Sequence, residues 1–411
     1  MGQSKLNIYL STFNLFLLFV GYQLVTSIFL PNYYTYEGTQ SLIDTRIVTI
    51  PYRALALGVS LLVIVLNWRE KVRLNKPLKL YFIFWGMLSI RILYDLKVRT
   101  DIVVDVTKSQ ETIIYTFLTC LLPAFSVLRS IRSIDFNLAF KWIFIGYVIL
   151  IPLFYYNNPF LFSLVDAGVR LSGNIAMNTI SFGQYGVTLA LLALFWNKQS
   201  DQVWQIALSI LLICIGIFIM LRSGSRGPLI TLIGCLIFFF TSRQRSYVGS
   251  LCILLLFVVL LLSFSTVLLD KIQELSPVMA SRLSLSGTET QFEELLTGRS
   301  GLYGTAIAKF VNNPVLGDSF AIFSQNGSFT YSHNMILDAF MGLGLFGGVL
   351  FVIMLSFAFW SSYQIVHYQR QNWWLAMLCI QSIISFMFSG CFYQAESLNV
   401  LLIIMLYRCL I

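Results

Sequence analysis

The sequence predicts an all-α protein that crosses a membrane many times, on three observations. Of its 411 residues, 57% are hydrophobic and only 11% are charged, against roughly 25% charged in an ordinary soluble domain. Apolar runs recur along the whole chain, each long enough to cross about 30 Å of hydrocarbon. The runs are continuous rather than alternating and too long for barrel strands, which excludes a transmembrane β-barrel.

A hydropathy reading gives about twelve transmembrane helices, over residues 8–30, 47–68, 80–96, 112–128, 138–156, 175–196, 202–221, 228–241, 247–269, 334–360, 373–391 and 397–411. The first run is long and lacks a small-residue cleavage site, so it reads as a retained span rather than a signal peptide. Arg91 and Asp95 interrupt the third at a spacing of four, which pairs side chains on one helix face. The eighth is short. The chain 1–411 is thus expected to be one integral membrane domain, with a single large loop over 270–333 between the ninth and tenth spans.

Positive charge gives the orientation. Arg69, Lys71, Arg73, Lys76 and Lys79 crowd one loop, and Arg129, Arg132, Lys198, Arg243, Arg245 and Arg370 fall in alternate later loops. With twelve spans these loops share one side with Lys5 and Arg408, and the positive-inside rule makes that side, and both termini, cytoplasmic. The net charge of +9 is then mostly a topogenic bias and calls for no nucleic-acid partner. Cys120, Cys214, Cys235, Cys252, Cys379, Cys391 and Cys409 lie in or at the ends of spans without metal-ligand spacing, and read as small apolar packing residues.

The opposite face is sparse yet basic. Its large loop contains Thr297-Gly298-Arg299-Ser300-Gly301, then a stretch from Leu302 to Val311 with Tyr303, Ala306 and Phe310 at helical spacing. That pattern suits an amphipathic helix on the membrane surface. Arg170 stands in Arg170-Leu171-Ser172-Gly173-Asn174. Arg222 and Arg226 bracket Ser223-Gly224-Ser225, and Gly227-Pro228 follows. Glycines there permit a sharp turn, and Pro228 suits the first turn of the next helix. Backbone N–H groups and a guanidinium at a helix start make an anion site.

His333 lies at the mouth of the tenth span, in Ser332-His333-Asn334-Met335-Ile336-Leu337-Asp338. The other histidine, His367, sits in a plain polar turn. A histidine and a carboxylate at the start of an apolar helix are penalised in a bilayer unless they have partners or a task. Each group also has a structural explanation: arginines snorkel to headgroup phosphates, Asp338 can bond within its bundle, and Gly342, Gly344 and Gly348 suit close helix packing. Several arginines on the side that should be poor in them weigh towards function.

Arginine forks recognise phosphate or carboxylate, and a histidine near neutral pH can take a proton from a hydroxyl. There is no G-x-x-x-x-G-K-[ST] phosphate loop, and no Asp-X-Asp pair, HExxH helix or cysteine cluster to hold a metal. In an enzyme built this way the arginines would do the electrostatic work.

These motifs resemble the O-antigen ligase and O-antigen polymerase superfamily of bacterial surface polysaccharide assembly. The resemblance rests on Arg170-Leu171-Ser172-Gly173-Asn174, on Ser223-Gly224-Ser225-Arg226-Gly227-Pro228-Leu229, on Gly298-Arg299 with Asn313-Pro314-Val315-Leu316-Gly317, and on Ser332 to Asp338 leading into Gly342-Leu343-Gly344. It runs from residue 165 to residue 350; the N-terminal third is similar in hydropathy alone. One departure is that family members often carry an acidic residue deeper in the helix after the histidine, whereas here Asp338 comes early and Met341 fills the next turn.

The resemblance implies a bacterial inner-membrane glycosyltransferase working on the periplasmic face. Its donor would be a glycan linked through pyrophosphate to undecaprenol, attacked by a sugar hydroxyl, with undecaprenyl pyrophosphate leaving and no metal or other cofactor taking part. On that pattern Arg226 and Arg299 would neutralise the pyrophosphate, and His333 would act as general base or help hold the pyrophosphate. Arg170, Arg222, Ser225, Asn334 and Asp338 would bind phosphate or sugar. Membrane lipid and a chain-length regulator protein are the further partners implied. A polymerase would extend another undecaprenyl-linked repeat, a ligase would load lipid A-core, and the short segment from Gly317 to His333 favours the polymerase. A flippase for the same lipid-linked glycan is the alternative of another class, and would call for charges near the midplane.

Overall fold

The computed structural model describes residues 5–30, 45–99, 101–102, 104–163, 169–197, 202–244, 249, 265–283 and 299–408. The described chain is helical apart from one two-stranded hairpin. Its helices are α1 (Lys5–Phe29), α2 (Arg46–Leu66), α3 (Lys76–Lys97), α4 (Val106–Ser130), α5 (Phe136–Asn157), α6 (Thr179–Asn197) and α7 (Val203–Arg222). They continue as α8 (Arg226–Arg243), α9 (Ser265–Leu275), α10 (Pro277–Leu283), α11 (Ser300–Asn312), α12 (Met335–Tyr368), α13 (Trp373–Phe386) and α14 (Glu396–Arg408). Strands β1 (Ile322–Phe323) and β2 (Phe329–Thr330) pair antiparallel, Ile322 opposite Thr330 and Phe323 opposite Phe329.

Among the described residues α1, α2, α4, α5, α6, α7, α8 and α12 are long and apolar enough to cross a membrane. The protein is therefore an all-α polytopic membrane protein. The expected third span forms α3, whose Arg91 and Asp95 keep it polar. The expected ninth falls largely outside the described residues, as do Gly298, Cys252, Cys409, Lys198 and Arg245. The last two expected spans form α13, with 14 residues, and α14, with 13 described residues, about 20 Å each at 1.5 Å per residue. Every residue from Trp373 to Gln381 is buried, and so is every residue from Leu398 to Leu406. They are apolar all round because protein surrounds them. His367 also differs from expectation: it lies in the last turn of α12, its Nδ1 2.9 Å from the Ser242 carbonyl.

The chain forms two compact units. The first comprises Met1–Ala56, Ile134–Leu285 and Tyr363–Gln381. Here α6 and α7 approach so closely that a Cβ on Gly186 would stand 2.4 Å from the Gly216 carbonyl oxygen. A polar cluster inside this unit is internally hydrogen-bonded, as a low-dielectric interior favours. Gln381 donates to the Gln184 carbonyl (3.1 Å) and to Thr188 (2.8 Å), and Gln184 donates to Thr231 (3.0 Å). Asp135 caps α5 by accepting from the N–H groups of Asn137 and Leu138, both at 3.0 Å.

The second unit comprises Leu57–Ser133, Ser286–Ser362 and Ser382–Ile411. Asn399, fully buried on α14, accepts from Tyr81 and from the Trp85 indole, each at 2.9 Å, and donates to Cys120 at 3.1 Å. One amide thus ties α14 to α3 and to the π-helical segment Tyr115–Leu121 within α4. Phe392 meets Phe84 and Phe351 edge to face around the same core, and Phe84 and Phe351 pack at a tilt of 30°. α12 is broken at Gly344 (φ 64°, ψ −159°), where the segment Asn313 to Asp318 lies against it.

Candidate active site

The expected site residues fall in two stretches, each within its own unit. In the second unit the turn before α12 is pinned on both sides of His333. The Ser332 N–H donates to Asp338 Oδ1 at 2.9 Å, and the Ser332 hydroxyl donates to the Asn334 carbonyl at 3.0 Å. Asn334 Oδ1 caps α12, accepting from Ile336 and Leu337 at 3.0 and 3.2 Å. Between these anchors His333 takes φ 63°, the one positive φ at a non-glycine among the described residues. Such a conformation costs on the order of 1–3 kcal/mol and persists where surroundings over-determine it, typically at functional sites.

The His333 ring packs against Tyr331 with centroids 4.5 Å apart, and its Nδ1 is buried without a hydrogen-bond partner. Burial, helped by the positive charge of Arg299, pulls its pKa down to about 4. The imidazole is therefore neutral at pH 7. Burial also pushes the Tyr331 phenol up to about 12, so it stays protonated. Arg299 precedes α11 and donates to the Phe388 carbonyl. Asn334 and Asp338, expected to bind substrate, each spend an oxygen on shaping the turn. Asp338 Oδ2 is buried with no partner.

A second assembly in this unit holds the segment before the hairpin. Arg91 and Asp95 pair as their spacing predicts, at 3.5 Å. Their partners were not foreseen. Arg91 donates to the carbonyls of Leu316 (2.6 Å), Gly317 (3.0 Å) and Asp318 (3.1 Å), and Arg99 donates to that of Asp318 at 2.7 Å. Asp95 Oδ2 accepts from the Phe320 N–H at 2.8 Å. Lys309, on α11, pairs with the Asp318 carboxylate and donates to Ser319 at 3.0 Å. Partial burial works to raise the Asp318 pKa, but the Lys309 bond and charge outweigh it and hold the carboxyl below its ordinary range. The continuing spacing of four from Arg91 to Asp95 to Arg99 was the available sequence signal.

In the first unit the turn between α7 and α8 carries the other predicted residues. Gly224 has φ +60°, and a Cβ there would meet Arg170 Cγ at 2.7 Å. Arg170 donates to Thr179 at 2.6 Å and to Ser225 at 3.2 Å, so the sequence-predicted pair Arg170 and Ser225 does come together. Ser225 occupies the N-cap position of α8 without capping it by its side chain. Arg226, the first residue of α8, is half-buried. Arg222 is wholly buried; it donates to the Phe160 carbonyl at 3.2 Å, and its own carbonyl accepts from Leu171 at 3.2 Å. Where a ligand donor was expected, Arg222 orders the turn.

Comparison with known protein families adds a match of residues 210–352 to the family described as O-antigen ligase. The matched stretch runs from within α7 into α12 and includes Arg222, Ser225, Arg226, Arg299, His333, Asn334 and Asp338; Arg170 precedes it. No curated protein matches the chain.

Proposed function

This chain belongs to the O-antigen ligase/polymerase superfamily, and we propose that it is a surface-polysaccharide polymerase acting on undecaprenyl-pyrophosphate-linked glycans. The observation that carries this reading is His333: a neutral imidazole fixed at positive φ, beside Arg299, inside the family-matched segment. A neutral ring can accept the proton of an attacking sugar hydroxyl, and burial beside the Arg299 charge keeps the resting ring neutral. On this reading His333 serves as base. Arg299 supplies charge for the pyrophosphate as it leaves.

On the same reading Arg226 binds phosphate at the start of α8, where helix dipole and backbone N–H groups favour an anion. Arg170 and Ser225 donate to phosphate or sugar, and Arg222 keeps their turn in shape. Asp338 and Asn334 position His333. The carbon–oxygen bond to the pyrophosphate breaks as the acceptor hydroxyl forms the new glycosidic bond, and its proton passes to His333. The work is placed on the periplasmic face of the bacterial inner membrane, with both termini cytoplasmic, as the loop charges support.

The short link from Gly317 to His333, held by the β1–β2 hairpin, leaves little chain for gripping a phosphorylated core, which favours polymerase over ligase. A strain lacking the protein tests both levels. Surface glycan reduced to single repeats supports a polymerase, loss of all attached glycan supports a ligase, and unchanged glycan overturns the proposal. Complementation by His333→Ala, Arg226→Ala and Arg299→Ala proteins tests the residue roles; full restoration by all three sinks them.

A further inference from the structure

A cavity of about 560 Å³ opens in the first unit, far from the arginine turn, lined by Asn137, Lys141, Phe195, Arg370, Trp373 and Trp374 among others. Its position follows from α6. Thr179 starts that helix beside Arg170 and Ser225, and Phe195 near its end lines the cavity. Phe195 lies 16 residues after Thr179 on α6, a rise of about 24 Å at 1.5 Å per residue and most of the ~30 Å hydrocarbon thickness. Cavity and arginine turn therefore lie at opposite boundaries of the bilayer.

The lining has a consistent chemistry. Lys141 and Arg370 are exposed cations, and among the described residues no carboxylate lines the space. The nearest acid along the chain, Asp135, is committed to capping α5. The Arg370 guanidinium lies 5.9 Å from the Trp373 ring, and Arg243 lies 5.2 Å from the same ring. Trp374 is 2% exposed, lines the cavity, and its indole N–H meets no acceptor. A buried donor of that kind is costly unless something fills the space beside it. The volume lies within the ~300–1,000 Å³ range of small-molecule sites. Tryptophans mark the headgroup level, and basic pockets between membrane helices take anionic headgroups.

We propose that this cavity holds the phosphate-bearing headgroup of an anionic phospholipid from the leaflet opposite the arginine turn. Lys141 and Arg370 pair with the phosphate, the Trp374 indole donates to a headgroup oxygen, and Asn137 and Gln371 face the glycerol. The site is independent of the glycan chemistry proposed above, since neither cation belongs to it.

The test uses full-length protein in phosphatidylcholine vesicles carrying equal fractions of either dibrominated phosphatidylglycerol or dibrominated phosphatidylcholine. Bromines quench nearby tryptophans. Quenching by the phosphatidylglycerol should exceed that by the phosphatidylcholine, and the excess should vanish in the Lys141→Ser/Arg370→Ser protein. Quenching by the phosphatidylcholine should stay at the wild-type level, which reports an intact fold. Lys271→Ser, a charge loss elsewhere in this unit, should keep the excess. Equal quenching in the wild type, or an excess that survives the double substitution, overturns the proposal. An excess abolished by millimolar inorganic phosphate also overturns it, because a free anion would then be the ligand.

Discussion

Gly344→Ala should be among the most damaging single-methyl additions to this protein. Gly344 holds φ 64° and ψ −159°, a region essentially closed to other residues at a cost of order 1–3 kcal/mol. The new methyl would stand 2.3 Å from the Val315 carbonyl oxygen and 2.6 Å from the Gly317 nitrogen. Both are backbone atoms, so the segment must withdraw. Withdrawal strains the bonds from Leu345 N–H to the Pro314 carbonyl (2.7 Å) and from Asp318 N–H to the Met341 carbonyl (2.8 Å). Each is worth about 0.5–1.5 kcal/mol. Strain and lost bonds together come to roughly 2–6 kcal/mol. Gly301→Ala is the contrast: nothing lies within 4 Å of its Cβ position, and alanine in a helix gains about 0.5–1 kcal/mol over glycine. Urea unfolding in lipid nanodiscs, followed by fluorescence, should separate the two by several kcal/mol. Equal stability for Gly344→Ala and wild type would refute the close docking of this segment on the helix break.

Three further outcomes follow from named contacts. Arg91→Ala removes the donors to three carbonyls and leaves buried Asp95 with Arg99 alone at 3.8 Å. Breaking a buried pair costs about 3–5 kcal/mol, so its melting temperature should fall well below that of wild type and proteolysis near Leu316 should speed up. Transfer measured as kcat/KM should hold as pH falls from 7 to 5 and decline only towards the His333 pKa of about 4; a midpoint near ~6.5, that of an ordinary histidine, would remove His333 as base. The same depressed pKa links to stability. The unfolded chain binds the proton first, so the contribution of neutral His333 is complete above ~6.5 and is lost as pH falls towards 4. The gap in melting temperature between wild type and His333→Ala should therefore shift between pH 7.5 and pH 4.5 in the direction that penalises wild type at low pH.

Much of the helix layout was legible because continuous apolar runs leave few alternatives in a bilayer. Burial by protein and burial by lipid leave the same mark in a sequence: Trp373–Gln381 of α13 and Leu398–Leu406 of α14 are enclosed by protein throughout. Gly342 and Gly344 suggested helix against helix; the structure places a loop against them instead. At the site, the i,i+4 pair Arg91–Asp95 was readable, being local. Asp318 and Lys309 were not, because their pairing depends on how α11 and α3 meet the loop. The positive φ of His333 was not legible in the sequence, because histidine, though enriched at positive φ among non-glycine residues, still adopts it in a small minority of cases. It arises from Ser332, Asn334 and Asp338 acting together.

Under the function proposed above, this membrane protein joins lipid-linked glycans by displacing polyprenyl pyrophosphate. Purified protein in vesicles, given a defined undecaprenyl-pyrophosphate-linked repeat, measures that event directly. Longer glycans should appear together with one equivalent of released undecaprenyl pyrophosphate per bond formed. His333→Ala should lower the rate by about 10²–10⁴-fold, the usual contribution of a general base. No release of undecaprenyl pyrophosphate, or release at the wild-type rate from His333→Ala, would contradict it.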